Sequence, residues 1–355
     1  MADLSTTYMG IKLSSPVVVG ASTFSNRVDN IKKAEELGAG ALVIYSLFQE
    51  QIELEALEVQ DELMIGSEQF AESLTYFPKI DHAGSREHIM WTERTRSQVK
   101  FPLIGSLNAV SRGNWVEYAK QLEGAGCDAL ELNLYAVETD PNAGAAEVEQ
   151  RSLDAIAAVK SAVSIPVSVK LSPFYSSLAH FAARTVEAGA DGLVLFNRFY
   201  QPTIDVDNEK LALKLDLSAP EDIRLPLRWI AILSGTLSAD LAASSGVHSG
   251  ADAARQILAG AKAVQTVSAL YKHGLDHIAT MNRELSEWMD AKGYSGIEDF
   301  RGKLNQSSVS DPFAFERAQY VKLLTSAHEQ QKRFGLVHGY YPVEVRVGGS
   351  RTQVG

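Results

Sequence analysis

TVEAGADGLVLFN, residues 185–197, carries the reading of the fold. A helical stretch closes on Ala188-Gly189, where glycine supplies the left-handed turn that ends a helix, and an apolar run follows at once. That run has no polar face, as a strand buried on both sides of a parallel sheet requires. The same phrase stands at AEELGAGALVIYS (Ala34 to Ser46), QLEGAGCDALELNLY (Gln121 to Tyr135) and QILAGAKAVQTVS (Gln256 to Ser268). Four such joints predict a repeated βα unit.

Working outward, FPLIGSLN (Phe101 to Asn108) and IPVSVKLS (Ile165 to Ser172) begin as strands after X-Pro, and SPVVVGA (Ser15 to Ala21) and ADLAASS (Ala239 to Ser245) complete the set. Eight strands separated by helices is the number that closes a TIM (β/α)₈ barrel. An open doubly wound sheet is the alternative, but the first βα joint, VVVGASTFSN, lacks the Gly-x-Gly-x-x-Gly turn of a dinucleotide fold. Residues 1–274 are therefore expected to form the barrel and 275–345 a helical extension packed on it, carried by LDHIATMNRELSEWM and DPFAFERAQYVKLLTSA; residues 346–355 are expected to be disordered. Two insertions interrupt the rhythm. One, from Phe48 to about Val99, reads as amphipathic helix, and the other, Phe199 to about Pro220, as a loop over the barrel mouth.

The 355 residues suit one barrel of roughly 250 residues with a tail. No apolar run approaches the roughly 18–20 residues that span a bilayer. The start, MADLSTTYMG, has no basic region before an apolar stretch, so no secretory signal is expected. One cysteine excludes an internal disulfide framework and suits a reducing cytoplasm. A net charge of −11 argues against nucleic acid or an anionic membrane as the main partner.

In such a barrel the active site forms at the C-terminal ends of the strands. Those ends are polar here: Ser22, Tyr45 with Ser46, Ser106 with Asn108, Asn133 with Tyr135, Lys170 with Ser172, Asn197 with Arg198, Ser245 with Gly246, and Ser268. Lys170 ends an apolar run and has three readings. It can snorkel to the rim, stabilise the negative charge of a reduced flavin, or form a Schiff base with a carbonyl substrate. The turn Ser244-Ser245-Gly246-Val247, the helix start Ser249-Gly250-Ala251-Asp252-Ala253 and the end Val267-Ser268-Ala269 together read as a single phosphate site, although Ser249 also suits a plain helix cap. His248 reads as a hydrogen-bonded turn residue and Cys127, at the start of strand four, as core. No His, Asp, Glu or Cys cluster has metal-ligand spacing, so no metal is predicted.

These segments resemble the dihydroorotate dehydrogenase family, and most closely its divergent dehydrogenase-like branch. The likeness runs from SSPVVVGAS to ASALYKHG and rests on ALELN, VSVKLSP, GLVLFNRFYQP, LRWIAIL and SGVHSGADAARQILAGAKAVQTVSAL in that order. The resemblance implies a noncovalent FMN cofactor and a small-molecule substrate. It implies Lys170 at the N1/C2-carbonyl edge of the flavin and Asn133 between flavin and substrate. The backbone of Ala21 and Ser22 would line the ring, with Ser46, Ser106 and the Phe196 backbone close by. Ser218 in LSAP would help hold the cofactor, Ser245, Gly246, Val267 and Ser268 would grip its phosphate, and Asn197, with Arg198 beside it, would bind the substrate edge.

The departures from the family bear on catalysis. The family carries Asn-Leu-Ser-Cys (or Ser)-Pro-Asn after strand four, where Cys or Ser is the base; here the run is Asn133-Leu134-Tyr135-Ala136-Val137-Glu138. Tyr45 stands where a lysine usually ends strand two, and FAESLTYFP replaces the Asn- and Gly-rich substrate loop. The expectation is an FMN oxidoreductase acting on a small substrate other than the pyrimidine-biosynthetic dihydroorotate, or on one whose proton is handled differently, with Lys170, Tyr45 and Tyr135 as catalytic candidates. A flavin-binding or electron-transfer subunit and a Schiff-base lyase using Lys170 are the alternatives. A homodimer and an electron-transfer partner are left open.

Overall fold

A computed structural model of the chain describes residues 2–48, 85–109, 115–134, 137–198, 201–212 and 216–316. Eight parallel strands close a barrel: β3 (Val17–Val19), β4 (Ala41–Val43), β6 (Leu103–Ala109), β7 (Ala129–Leu134), β8 (Val167–Leu171), β9 (Gly192–Leu195), β12 (Asp240–Ser244) and β13 (Ala263–Thr266), with β13 pairing back onto β3. A short β5 (Leu47–Phe48) extends the pairing along β6. Every residue of β7 and β8 is buried, which accounts for their unbroken apolar runs.

The repeated phrase does structural work at the bottom of the barrel. Helix α5 (Leu178–Glu187) ends at Gly189, whose φ of +108° only glycine adopts without strain, and glycines 38, 126 and 260 share that sign after α1 (Val28–Glu36), α3 (Trp115–Gly124) and α7 (Gly250–Ala259). Where the phrase continues with Asp, the carboxylate clasps the preceding strand. Asp128 accepts from the Leu103 N–H at 2.8 Å, and Asp191 from the Val167 N–H at 2.7 Å.

An N-terminal hairpin, β1 (Thr6–Tyr8) and β2 (Ile11–Leu13), packs against the same end. Its two-residue turn, Met9-Gly10, has positive φ at both positions, the geometry that matches strand twist. Tyr8, Met9 and Leu13 pack with Ala41, Ala129, Ala242 and Ala263, where small side chains leave room for the hairpin.

The second insertion corrects the expectation of a plain loop. It contains a hairpin, β10 (Thr203–Asp205) with β11 (Lys210–Ala212). Of the first insertion, α2 (Ser85–Arg96) is helical, and residues 49–84 lie outside the described residues. The remaining helices are α4 (Ala145–Ala162), α6 (Arg224–Leu233), α8 (Ser268–His273) and α9 (His277–Lys292). The chain falls into two compact units, Met1–Val309 and Ser310–Gly355, so α9 belongs to the barrel's unit. Of the second unit the described part holds a 3-10 turn at Pro312–Phe315; residues 317–355, including the expected tail, lie outside it.

Candidate active site

A cavity of about 550 Å³ opens at the C-terminal ends of the strands, within the range of cofactor sites. Of the residues expected there, Ala21, Ser22, Tyr45, Ser46, Asn133, Lys170, Asn197, Arg198, Ser218, Ser245, Gly246, Val267 and Ser268 line it. Tyr135 and Ala136 lie outside the described residues, as does the replaced substrate loop at 70–78. Ser106 and Phe196 are buried and do not line the cavity. Ser106 acts from behind: its hydroxyl lies 2.8 Å from the Ser46 hydroxyl and accepts from Asn133 Nδ2 at 2.7 Å. With Nδ2 also directed at Ser46 Oγ and the Leu107 carbonyl, the Asn133 side chain is fixed on three sides.

Lys170 is held by groups that the strand-end reading missed. Its Nζ donates to Gln265 Oε1 at 2.9 Å and lies 3.4 Å from Glu131 Oε1, while Gln265 Nε2 donates to Glu131 Oε2. All three side chains are buried. The signal was a Glu in the middle of ALELNLY and a Gln inside AVQTV: a charge in a strand with no solvent face needs a partner.

The other end of the cavity is built from the turns after β12 and β13. Ser245 and Gly246 both have positive φ, 77° and 73°. A Cβ on Gly246 would come within 2.2 Å of the Ile223 nitrogen, so the turn admits no side chain there. Ser218 bridges the two turns: its N–H donates to Ser268 Oγ at 2.9 Å, its Oγ accepts from the Gly246 N–H at 3.3 Å, and its carbonyl accepts from Lys272 Nζ at 2.9 Å. The start of α7 likewise has its own acceptors. Ser249 caps Asp252, the Gly250 N–H donates to Glu284, and the His248 N–H donates to Asp252. The N–H groups of His248, Gly250 and Asp252, expected to contribute to an anion site, are therefore already engaged within the protein.

His248 is half-buried beside Ser218, and burial, reinforced by Lys272, holds its ring below the usual histidine range. Tyr45 is bound by its backbone: its N–H donates to Ser25 Oγ at 2.9 Å and its carbonyl accepts from His88 Nε2 at 3.2 Å. Burial, and then Glu87, push the Tyr45 hydroxyl up to about 12, so it is a proton donor and not a base at neutral pH. Arg198 pairs with Asp222 at 3.1 Å. Cys127 is buried, with its thiol pushed up to about 12 chiefly by burial.

Whether FMN suits these residues can be tested on the cavity itself. Asn108 lines it, a polar side chain at the end of β6. Lys170 brings to the cavity wall a cation that suits the carbonyl edge of such a ring. The residues present fit the group. Among the described residues no cluster of His, Cys, Asp and Glu is disposed to hold a metal, and no helix is long and apolar enough to cross a membrane.

The family model described as dihydroorotate dehydrogenase matches residues 80–289. The catalytic subunit of dihydroorotate dehydrogenase B (NAD(+)) from Thermoplasma volcanium is 28% identical over 319 residues, covering 85% of this chain and 98% of that protein. A putative dihydroorotate dehydrogenase A (fumarate) from Aeropyrum pernix is 32% identical over 229 residues, 63% of this chain and 74% of its own. The chloroplastic dihydropyrimidine dehydrogenase (NADP(+)) of Arabidopsis thaliana is 24% identical over 360 residues, 93% of this chain and 82% of that protein.

Proposed function

The chain belongs to the dihydroorotate dehydrogenase family, and on that premise we propose that its barrel mouth binds FMN and serves an oxidoreductase whose small organic substrate is not dihydroorotate. The observation that carries the reading is Lys170, a buried cation on the cavity wall with its inner side tied to Gln265 and Glu131. When bound, the flavin supplies the two-electron redox chemistry.

The chain's own residues do the rest. Lys170 would stabilise negative charge at the pyrimidine edge of the ring. Asn133, locked by Ser46 and Ser106, would orient the substrate. The Ser218 bridge and the Gly246 turn would hold the phosphate. Asn197 and Arg198 would meet the polar edge of the substrate from β9. Tyr45 can donate a proton and cannot remove one at neutral pH. By the family resemblance Ala136 stands where the base is carried, and an alanine cannot accept the proton of dihydroorotate, which favours a substrate that gains a proton or loses one without such a base.

The same missing base favours, as a second reading, a flavin subunit that passes electrons to a partner. The ion pair speaks against the Schiff-base lyase: a free amine at Lys170 would leave Glu131 buried without its cation. Anaerobic photoreduction of the flavin-loaded protein, followed by a screen of small unsaturated carbonyl and heterocyclic acceptors, separates the first two readings. Reoxidation by a small molecule supports the enzyme; reoxidation only by a protein carrier supports the subunit.

A further inference from the structure

Glu131 lies below the cavity wall and is no part of the site as proposed. It stands in the middle of β7 at 1% exposure, and the cavity lining includes Lys170 and Gln265 but not Glu131. Glu131, Gln265 and Lys170 nevertheless form a closed ring of contacts. The ring determines the Gln265 amide: its nitrogen serves the carboxylate, so its oxygen must serve the ammonium. An ammonium has three N–H donors. Two are drawn inward by Gln265 and Glu131, which leaves the third for the cavity.

The charge balance around this ring is equally definite. Asp240, the other acid near the hairpin, is paired with Lys262 at 2.8 Å and accepts from the Met9 N–H. The Tyr8 hydroxyl, at the barrel bottom, is held in its neutral form by burial and by the charge of Glu131. Among the described residues Lys170 is the cation within ion-pair distance of Glu131.

We propose that Glu131 is a positioning residue that sets the reduction potential of the bound flavin. It fixes the direction of the Lys170 ammonium through Gln265 and offsets its charge, so that the flavin meets an ion pair and not a bare cation. The inference rests on the flavin reading above. A bare cation would stabilise the reduced, anionic ring more strongly; a bare carboxylate would oppose it.

The test is a double-mutant cycle on the FMN-loaded protein, with midpoint potentials measured against reference dyes. Lys170→Met is expected to lower the ratio of reduced to oxidised FMN affinity about tenfold, or about 30 mV for a two-electron couple. Glu131→Gln is expected to raise it by a similar factor. The double variant, which removes both charges, should return to within about threefold of wild type. Because each single change leaves a buried charge unpaired, the double variant is the safer fold, and its comparison with Lys170→Met decides the matter even if Glu131→Gln does not fold. An unchanged or lowered ratio in Glu131→Gln, or a double variant that stays at the Lys170→Met value, overturns the inference. A wild-type protein that takes up no FMN removes the flavin reading and this inference with it; a yellow wild type whose potential ignores Glu131 removes this inference alone.

Discussion

The backbone N–H of Ser218 donates to the hydroxyl of Ser268 at 2.9 Å, joining the segment after the β10–β11 hairpin to the start of α8. Through this bond the long insertion after β9 becomes one wall of the cavity, held also by Gly246 and Lys272.

Two substitutions test that end of the site. Ser268→Ala removes one hydrogen bond and should weaken FMN retention by about 1 kcal/mol, roughly fivefold. Gly246→Ala should do far more, because φ is +73° and the new Cβ meets the Ile223 nitrogen. Strain of about 1–3 kcal/mol would lower both the melting temperature and flavin content. Circular dichroism paired with flavin fluorescence reads both; a fully yellow Gly246→Ala protein of unchanged stability would show that the turn has been misread.

Dihydroorotate should be a very poor substrate. A positioned base contributes roughly 10²–10⁴-fold to proton removal, and Ala136 offers none. Anaerobic mixing with excess dihydroorotate should leave the flavin absorbance almost unchanged over seconds. Rapid bleaching would mean that another group accepts the proton. Ala136→Cys alone should restore little, because Tyr45 still replaces the lysine of strand two.

His88 should make the protein acid-sensitive. Its Nε2 donates to the Tyr45 carbonyl, its Nδ1 is buried without a partner, and burial lowers the ring to about 4. Above pH 6.5 neither state binds the proton and stability is full. As pH falls from 6.5 toward 4 the unfolded chain takes up a proton that the fold refuses, so stability is lost across that window. The His88 contribution between pH 7 and 5 is about 2 kcal/mol. His88→Gln keeps a donor for the Tyr45 carbonyl and should flatten the dependence of the urea midpoint on pH by that amount. Parallel wild-type and variant curves would assign the acid loss elsewhere.

The barrel was legible because its signals are local. Glycines 38, 126, 189 and 260 close helices with positive φ, and the runs after them are buried on both faces, so period and punctuation agree. The strand ends gave most of the cavity wall for the same reason. The N-terminal hairpin was not legible, since its strands are three residues each and its turn is Met9-Gly10, a weak version of the Asn-Gly signal. The β10–β11 hairpin read as a loop because Ile204 and Leu211, opposite each other, are both exposed and give no inside-outside alternation. Glu131 and Gln265 carried a signal as buried polar residues, but their partnership depends on barrel closure: they stand 134 residues apart. The start of α7 looked like an anion site in sequence, but Glu284 on α9, which accepts from the Gly250 N–H, lies 34 residues further along and outside any local pattern.

The central claim is tested most directly by the chromophore of the purified protein. Denaturation in the dark, followed by chromatography of the released small molecule against FMN, FAD and riboflavin standards, should recover FMN, at about one per chain after reconstitution. The single phosphate end proposed at Gly246 and Ser268, both on the cavity wall, is what limits the expectation to the mononucleotide. Recovery of FAD, or a colourless protein that takes up no FMN on reconstitution, would contradict the account.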